Sequence, residues 1–294
     1  MRFDSYHPTI NLIYFVAVLF FTIAFNHPIF VIISYLCAFA YSIKLNGRKQ
    51  AVFNTALIPL IFAYTAWYAY YNHFGVTNLY SNIIDNKITL DSILYGLQLS
   101  ITVATVIMIL SCLFTIFSTD KVIYLFGRVS PKLSLFLSIL LRTVPRVKLQ
   151  TKRINTSQRG IGRGLHQRKF PLFIVDFFRI ASITITWTLE NFVESAASMK
   201  SRGYSLKGRT AFSIYRFDNR DRSFVVLIFL CLTVIAMGYA LNQTNIYYDP
   251  EIIMNRITPL SVIFYIAYAA LFLLPMILQI IGEYKFRKLR KKIA

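Results

Sequence analysis

A chain of 294 residues that is 56% hydrophobic, 15% charged and has a mean hydropathy of +0.54 is too greasy for a soluble domain, which runs at about 45–50% apolar and about 25% charged. That excludes a soluble protein with one large core and points to an all-α polytopic membrane protein. The net charge of +20 raises nucleic acid as a partner, but most of the 26 Phe and 19 Tyr sit inside apolar runs; positive charge on the cytoplasmic side of a membrane is the commoner source of a high pI.

The first apolar run covers residues 10–25, is broken by Asn26-His27-Pro28, and gives way to a second run over 29–43. Both are short against the about 20 residues of a full span, so tilting or a tight hairpin is expected. The opening segment has no small-residue cleavage site after its apolar run and reads as a retained helix. Pro28 suits the first turn of the second helix. After a basic loop at Lys44, Arg48 and Lys49, the third run covers 51–71 and ends in Tyr64, Trp67, Tyr68, Tyr70 and Tyr71, an interfacial aromatic belt. A polar loop spans 72–91, and the fourth run covers 92–117. Beyond a polar middle come a fifth run at 224–241, a loop at 242–256, a sixth run at 259–281 and a basic tail. This divides the chain into 1–117 with helices 1–4, a polar middle at 118–222, and 223–294 with helices 5–6 and the tail.

The loops at 26–28, 72–91 and 242–256 carry only Lys87 and Arg256 as basic residues. Arg2, the Lys44–Lys49 loop, the middle and the tail (Lys285, Arg287, Lys288, Arg290, Lys291, Lys292) carry many. The positive-inside rule then gives about six spans with both termini and the middle in the cytoplasm.

Ser130-Pro131 starts a long helix, with a capping Ser and Pro at the first helical position. Leu140, Val144, Val147, Thr151 and Ile154 form one apolar stripe, with Arg142, Arg146 and Arg153 on another face. Pro145 is expected to kink this helix, and Gly160 to end it in the left-handed conformation. Pro171 opens a second helix with a stripe of Phe173, Phe177, Ile180, Thr184 and Trp187, continued by Phe192, Ala196 and Met199. The two helices are expected to bury one face each, against each other, and to end in exposed arginines at Gln158-Arg159-Gly160 and Ser201-Arg202-Gly203. Each Arg-Gly pair also has a plain reading, a charge matched to the helix dipole, and Gly162-Arg163-Gly164 is a nearby decoy.

Catalytic and metal signatures are missing from the sequence. There is no GxxxxGK[ST] loop. His7, His27, His73 and His166 lack ligand spacing, and Cys37, Cys112 and Cys231 read as small buried hydrophobes. Glu190 and Glu194 read as a solvated helix face. The spans hold almost no ionisable groups of the kind expected in a proton-coupled carrier or membrane protease.

Tyr6-His7-Pro8, Asn26-His27-Pro28, Gly47, LYGLQL at 94–99, SILLRTVP at 138–145 and the two Arg-Gly pairs together resemble the transmembrane T component of energy-coupling factor (ECF) transporters, the family that includes the cobalt-transport permease CbiQ. The family usually has Ala before each Arg; here Gln158 and Ser201 stand there. The resemblance implies a non-catalytic scaffold in the plasma membrane of a bacterium or archaeon. It implies as partners two ABC ATPase subunits, a membrane-embedded substrate-capturing S component and lipid, with no nucleic acid. It also implies no cofactor on this chain, with ATP and Mg held by the ATPases. Gln158, Arg159, Gly160, Ser201, Arg202 and Gly203 are then the ATPase-docking residues. Competing readings are a self-sufficient secondary carrier, which needs broken helices or a repeat, and a membrane-anchored binder of nucleic acid or anionic lipid.

Overall fold

The computed structural model describes the chain except residues 1–2, 73–74, 76, 82–86, 166–171, 205, 207–214, 216, 249–251, 255–257 and 294. The expectations placed on Arg2, His73, His166, Pro171 and Arg256 therefore lie outside the described residues. The chain is an all-α membrane-type protein that divides into two compact units, Met1–Ser118 with Tyr215–Ala294, and Thr119–Ile214.

Unit one begins with α1 (Pro8–Ala24) and α2 (Pro28–Asn46). A His-Pro pair starts each helix in the same way. Proline takes the first helical position, and the histidine Nδ1 accepts a backbone N–H two residues on: Thr9 at 3.3 Å for His7, Ile29 at 3.4 Å for His27. Proline has no N–H to leave unsatisfied there, and imidazole serves where Ser or Asp is the usual cap. Gly47, at φ 74°, is at once the C-cap of α2 and the N-cap of α3 (Arg48–Tyr71). One glycine thus reverses the chain, at a φ that a side chain disfavours.

α4 (Leu90–Ile116) packs on α1, α2 and α3, while α8 (Asn219–Ala240) and α9 (Pro259–Ile293) close the bundle against α1 and α2. The core is aromatic: Phe25, Phe30 and Tyr268 are buried, with ring centroids 5.1 Å (Phe25–Phe30) and 4.9 Å (Phe30–Tyr268) apart. Cys112 and Cys231 are buried in it and Cys37 packs against it, all three as free thiols.

The loops read from sequence as poor in basic residues meet at one end of this unit. The His27 N–H donates to the Thr244 carbonyl at 3.1 Å, and the Tyr95 and Tyr248 rings lie 5.4 Å apart. Two of these loops hold short hairpins that polarity alone did not announce: β1 (Asn78–Ser81) with β2 (Lys87–Thr89), and β3 (Ile246–Tyr247) with β4 (Ile253–Met254). Asp91 anchors the first, accepting the Thr77 hydroxyl at 2.8 Å.

At the opposite end of α2 and α3 is a buried polar cluster. Asn54 donates to the Ser42 hydroxyl at 2.6 Å and accepts from the Gln50 amide at 3.1 Å, and Gln50 accepts from the Ser111 hydroxyl at 3.2 Å, joining α2, α3 and α4. On the same side Lys44 pairs with Glu283 of α9 at 2.8 Å.

Among the described residues, six helices are long and apolar enough to cross a membrane: α2, α3, α4, α8, α9 and α7 (Leu172–Ser201) of unit two. The number agrees with the sequence reading but the membership differs. α1, counted there as a span, is a shorter helix of 17 residues. α7, read there as cytoplasmic, qualifies by composition. Its first half is rich in Phe and Ile, and its charged residues are too few to disqualify it.

Candidate functional site

Unit two consists of α5 (Thr119–Val129), α6 (Pro131–Gly160) and α7. α5, an amphipathic helix that the sequence reading passed over, packs on α6. The fit is close at Gly127, where a β-carbon would come within 3.0 Å of the Ser134 hydroxyl. α6 starts at the expected residues, with Ser130 extended at the N-cap and Pro131 in the first turn, but the Ser130 side chain makes no capping hydrogen bond; the chain stays helical through Pro145.

α6 packs against α7, as expected, but the contacting faces differ from the predicted stripes. Val147, Thr151 and Ile154 are half-buried, whereas Leu140 and Val144 are 38% and 64% exposed. A 4-3-4-3 spacing averages 3.5 residues and drifts about 20° per heptad around a 3.6-residue helix, so one such stripe does not face one neighbour along all of α6. On α7 the buried line is Asp176, Ile180 and Thr184, spaced by four, and Phe177 is half exposed. Asp176 accepts from the Arg179 guanidinium at 3.3 Å. Asp176 is polar, so an apolar stripe read from the sequence does not include it.

The two helix ends are built alike, yet the Arg-Gly pairs occupy different places in them. At the end of α7 the Gly203 N–H bonds the Lys200 carbonyl at 3.1 Å and the Tyr204 N–H bonds the Met199 carbonyl at 3.2 Å. Gly203 is left-handed at φ 78°. This is a Schellman closure, with Arg202 immediately before the left-handed glycine.

At the end of α6 the same closure forms two residues later than expected. The Gly162 N–H bonds the Arg159 carbonyl at 3.0 Å and the Arg163 N–H bonds the Gln158 carbonyl at 2.9 Å. The left-handed residue is Gly162, at φ 75°, whereas Gly160 is the last residue of the helix. The expectation that Gly160 ends α6 in the left-handed conformation is thus corrected. The bonds of the closure select Gly162, and the segment set aside as a decoy is the cap.

Arg159 therefore projects from the last turn of α6, its stem against Gly164, and Arg202 projects from the cap of α7; both are exposed. Gln158 is half-buried, and the Ser201 hydroxyl donates to the Ser198 carbonyl at 2.8 Å.

The pair does not form one cluster. The C-terminal half of α7, from Trp187 to Arg202, lines a cleft with Leu135 to Arg146, in the N-terminal half of α6. The helices are antiparallel, with the Arg146 guanidinium 6.0 Å from the Trp187 ring centroid. At a rise of about 1.5 Å per residue, Arg159 lies about 20 Å beyond Arg146, and Arg202 lies about 22 Å beyond Trp187 in the other direction. The two tips are thus on the order of 40 Å apart.

Arg142 and Arg146, placed by the sequence reading on a face away from the stripe, line this cleft together with Arg202 and Glu194. Their spacing of four, with a lone Trp in the facing helix, was the signal available in the sequence. Among the described residues no group of three or more His, Cys, Asp or Glu is placed to hold a metal ion. No family model matches the chain, and no curated protein matches it.

Proposed function

We propose that the chain is the non-catalytic membrane scaffold of an ATP-driven importer of the ECF type. In this reading two ABC ATPase subunits, carrying ATP and Mg, bind the tips at Gln158-Arg159-Gly160 and Ser201-Arg202-Gly203. A membrane-embedded S component delivers the substrate, and both chain termini are cytoplasmic. The observation that carries the reading is the arrangement of the tips: two exposed arginines at opposite ends of one antiparallel helix pair, far enough apart to engage two separate partners. A guanidinium entering an acidic groove makes charge-assisted, bidentate hydrogen bonds.

Further support is that α6 and α7 leave much apolar surface uncovered, with Phe136 58% and Val193 71% exposed. Such surface is ordinary for a part covered by partners or lipid. Rigid helices of about 45 Å are suited to carrying a displacement from ATPase to S component.

The test replaces Arg159 and Arg202 with Glu, singly and together, in a tagged complex expressed with its ATPases. Each single change is expected to reduce ATPase recovery and uptake by ten-fold or more, since reversing a buried interface charge costs about 2–5 kcal/mol. Full ATPase recovery with unchanged uptake in the double variant overturns the reading.

A further inference from the structure

We propose that the cleft between α6 and α7 binds the phosphate headgroup of an anionic lipid, with Arg142 and Arg146 as its principal ligands. The cleft encloses about 480 Å³, enough for a headgroup and the start of its acyl chains. Arg142 and Arg146 are four residues apart on α6, which puts both guanidinium groups on one face, toward the cleft they line; Arg202 lies at the far end of that cleft. Along its length the cleft lining holds one acid, Glu194, against three arginines. Among the described residues neither Arg142 nor Arg146 is in an ion pair, so both guanidinium groups are available to a phosphate.

The neighbouring lining is of two kinds. Ser138, Ser195 and Ser198 bring hydroxyls, while Leu135, Ile139 and Met199 bring an apolar wall. Free phosphate satisfies the arginines but leaves that wall exposed to water; a phospholipid satisfies both. Guanidinium is the side chain whose fork matches a phosphate in two bonds at once, and Trp187, already beside Arg146, reports on occupancy.

The experiment uses the full chain in neutral detergent with Trp67→Phe, which leaves Trp187 as the one tryptophan, since the sequence holds two. Its emission is followed on adding phosphatidylglycerol, phosphatidylcholine or glycerol phosphate. Phosphatidylglycerol is expected to give a saturable change that phosphatidylcholine does not. Arg142→Gln with Arg146→Gln is expected to weaken it by ten-fold or more at unchanged helicity. Should that pair fail to fold, Arg142→Lys with Arg146→Lys serves instead, with a loss of three-fold or more from forfeited bidentate bonding.

Equal responses to the two lipids, or an unchanged affinity in the arginine variants, overturn the site. Glycerol phosphate matching phosphatidylglycerol at equal concentration overturns the lipid as its source. An acidic peptide, poly-Glu, displacing the lipid at a lower concentration than glycerol phosphate overturns the lipid in favour of a protein partner. Arg202 is left unaltered throughout, so failure here is distinguishable from failure of the ATPase-docking reading.

Discussion

The two units are held together by different means. Unit one has a continuous interior in which Phe15, Phe25, Phe30, Met108, Ile228 and Leu271 from α1, α2, α4, α8 and α9 are all buried. In unit two, among the described residues, Ile180 is the one apolar side chain that is buried. Its long helices are fixed instead by their ends and by polar side chains: two Schellman closures, the buried Asp176 with Arg179, and the Arg146–Trp187 contact between α6 and α7. A helix pair that buries so little is only marginally stable alone. The difference teaches that unit two is shaped for contacts outside itself, whereas unit one supplies its own.

The sharpest way to break this comparison is to damage the interior of unit one. Asn54→Ala removes the acceptor of the Gln50 amide and the donor to the Ser42 hydroxyl, both buried. Leaving buried polar atoms unsatisfied costs about 1–3 kcal/mol. The thermal midpoint of the purified chain is expected to fall by several degrees, and hydrogen exchange to quicken across α2, α3 and the second half of α4. Exchange in α6 and α7 is expected to stay as it was; equal acceleration in both units would show that they do not have separate sources of stability.

The converse change acts on the caps of unit two. Gly162 and Gly203 are left-handed, and a side chain there costs about 1–2 kcal/mol. Gly160 is in the helix, where alanine is preferred to glycine by about 0.5–1 kcal/mol. Gly162→Ala and Gly203→Ala are therefore expected to speed exchange in the last turns of α6 and α7, and Gly160→Ala to slow it. The three variants separate the glycine that closes α6 from the glycine of the Arg-Gly pair. If Gly160→Ala frays α6 more than Gly162→Ala, the assignment of the cap is wrong.

That result bears on how far the sequence could be read. Five of the long apolar runs announce themselves by length and by His-Pro or Gly punctuation, because a membrane span needs an unbroken greasy segment. Unit two gives weaker signals. α5 is 11 residues long, too short to establish a period. The GIGRG segment offers three glycines, and only the closing hydrogen bonds choose among them. Asp176 lies on the buried line of α7, one position from the Phe177 that hydrophobicity favours. The exposed arginines at both tips were legible as motifs. Their placement at opposite ends of an antiparallel pair was not, because it depends on how α6 and α7 pack.

The smallest expected effect asks whether caps matter in unit one as well. His27 caps α2 through Nδ1, which accepts only while that nitrogen is unprotonated, and the His27 backbone N–H ties the corner to Thr244. Burial holds its pKa below the ordinary value of 6.5. The unfolded chain therefore takes up this proton at a higher pH than the folded one. The linked stability is complete above pH 6.5 and declines as pH falls from there toward the lower folded value. His27→Asn keeps a side-chain acceptor at the N-cap and removes the titration, whereas His27→Ala loses the cap at about 0.5–2 kcal/mol. Thermal midpoints at pH 7.5 and 5.5 check this. The wild type is expected to lose more than the Asn variant on acidification, and the Ala variant to be the least stable at pH 7.5. An identical pH response in wild type and His27→Asn, with a His27→Ala variant as stable as wild type at pH 7.5, would mean that the α1–α2 corner is held by the aromatic core around Phe30 and Tyr265 and by the backbone bond to Thr244. Unit one would then owe nothing to this cap, and the contrast with unit two would be sharper still.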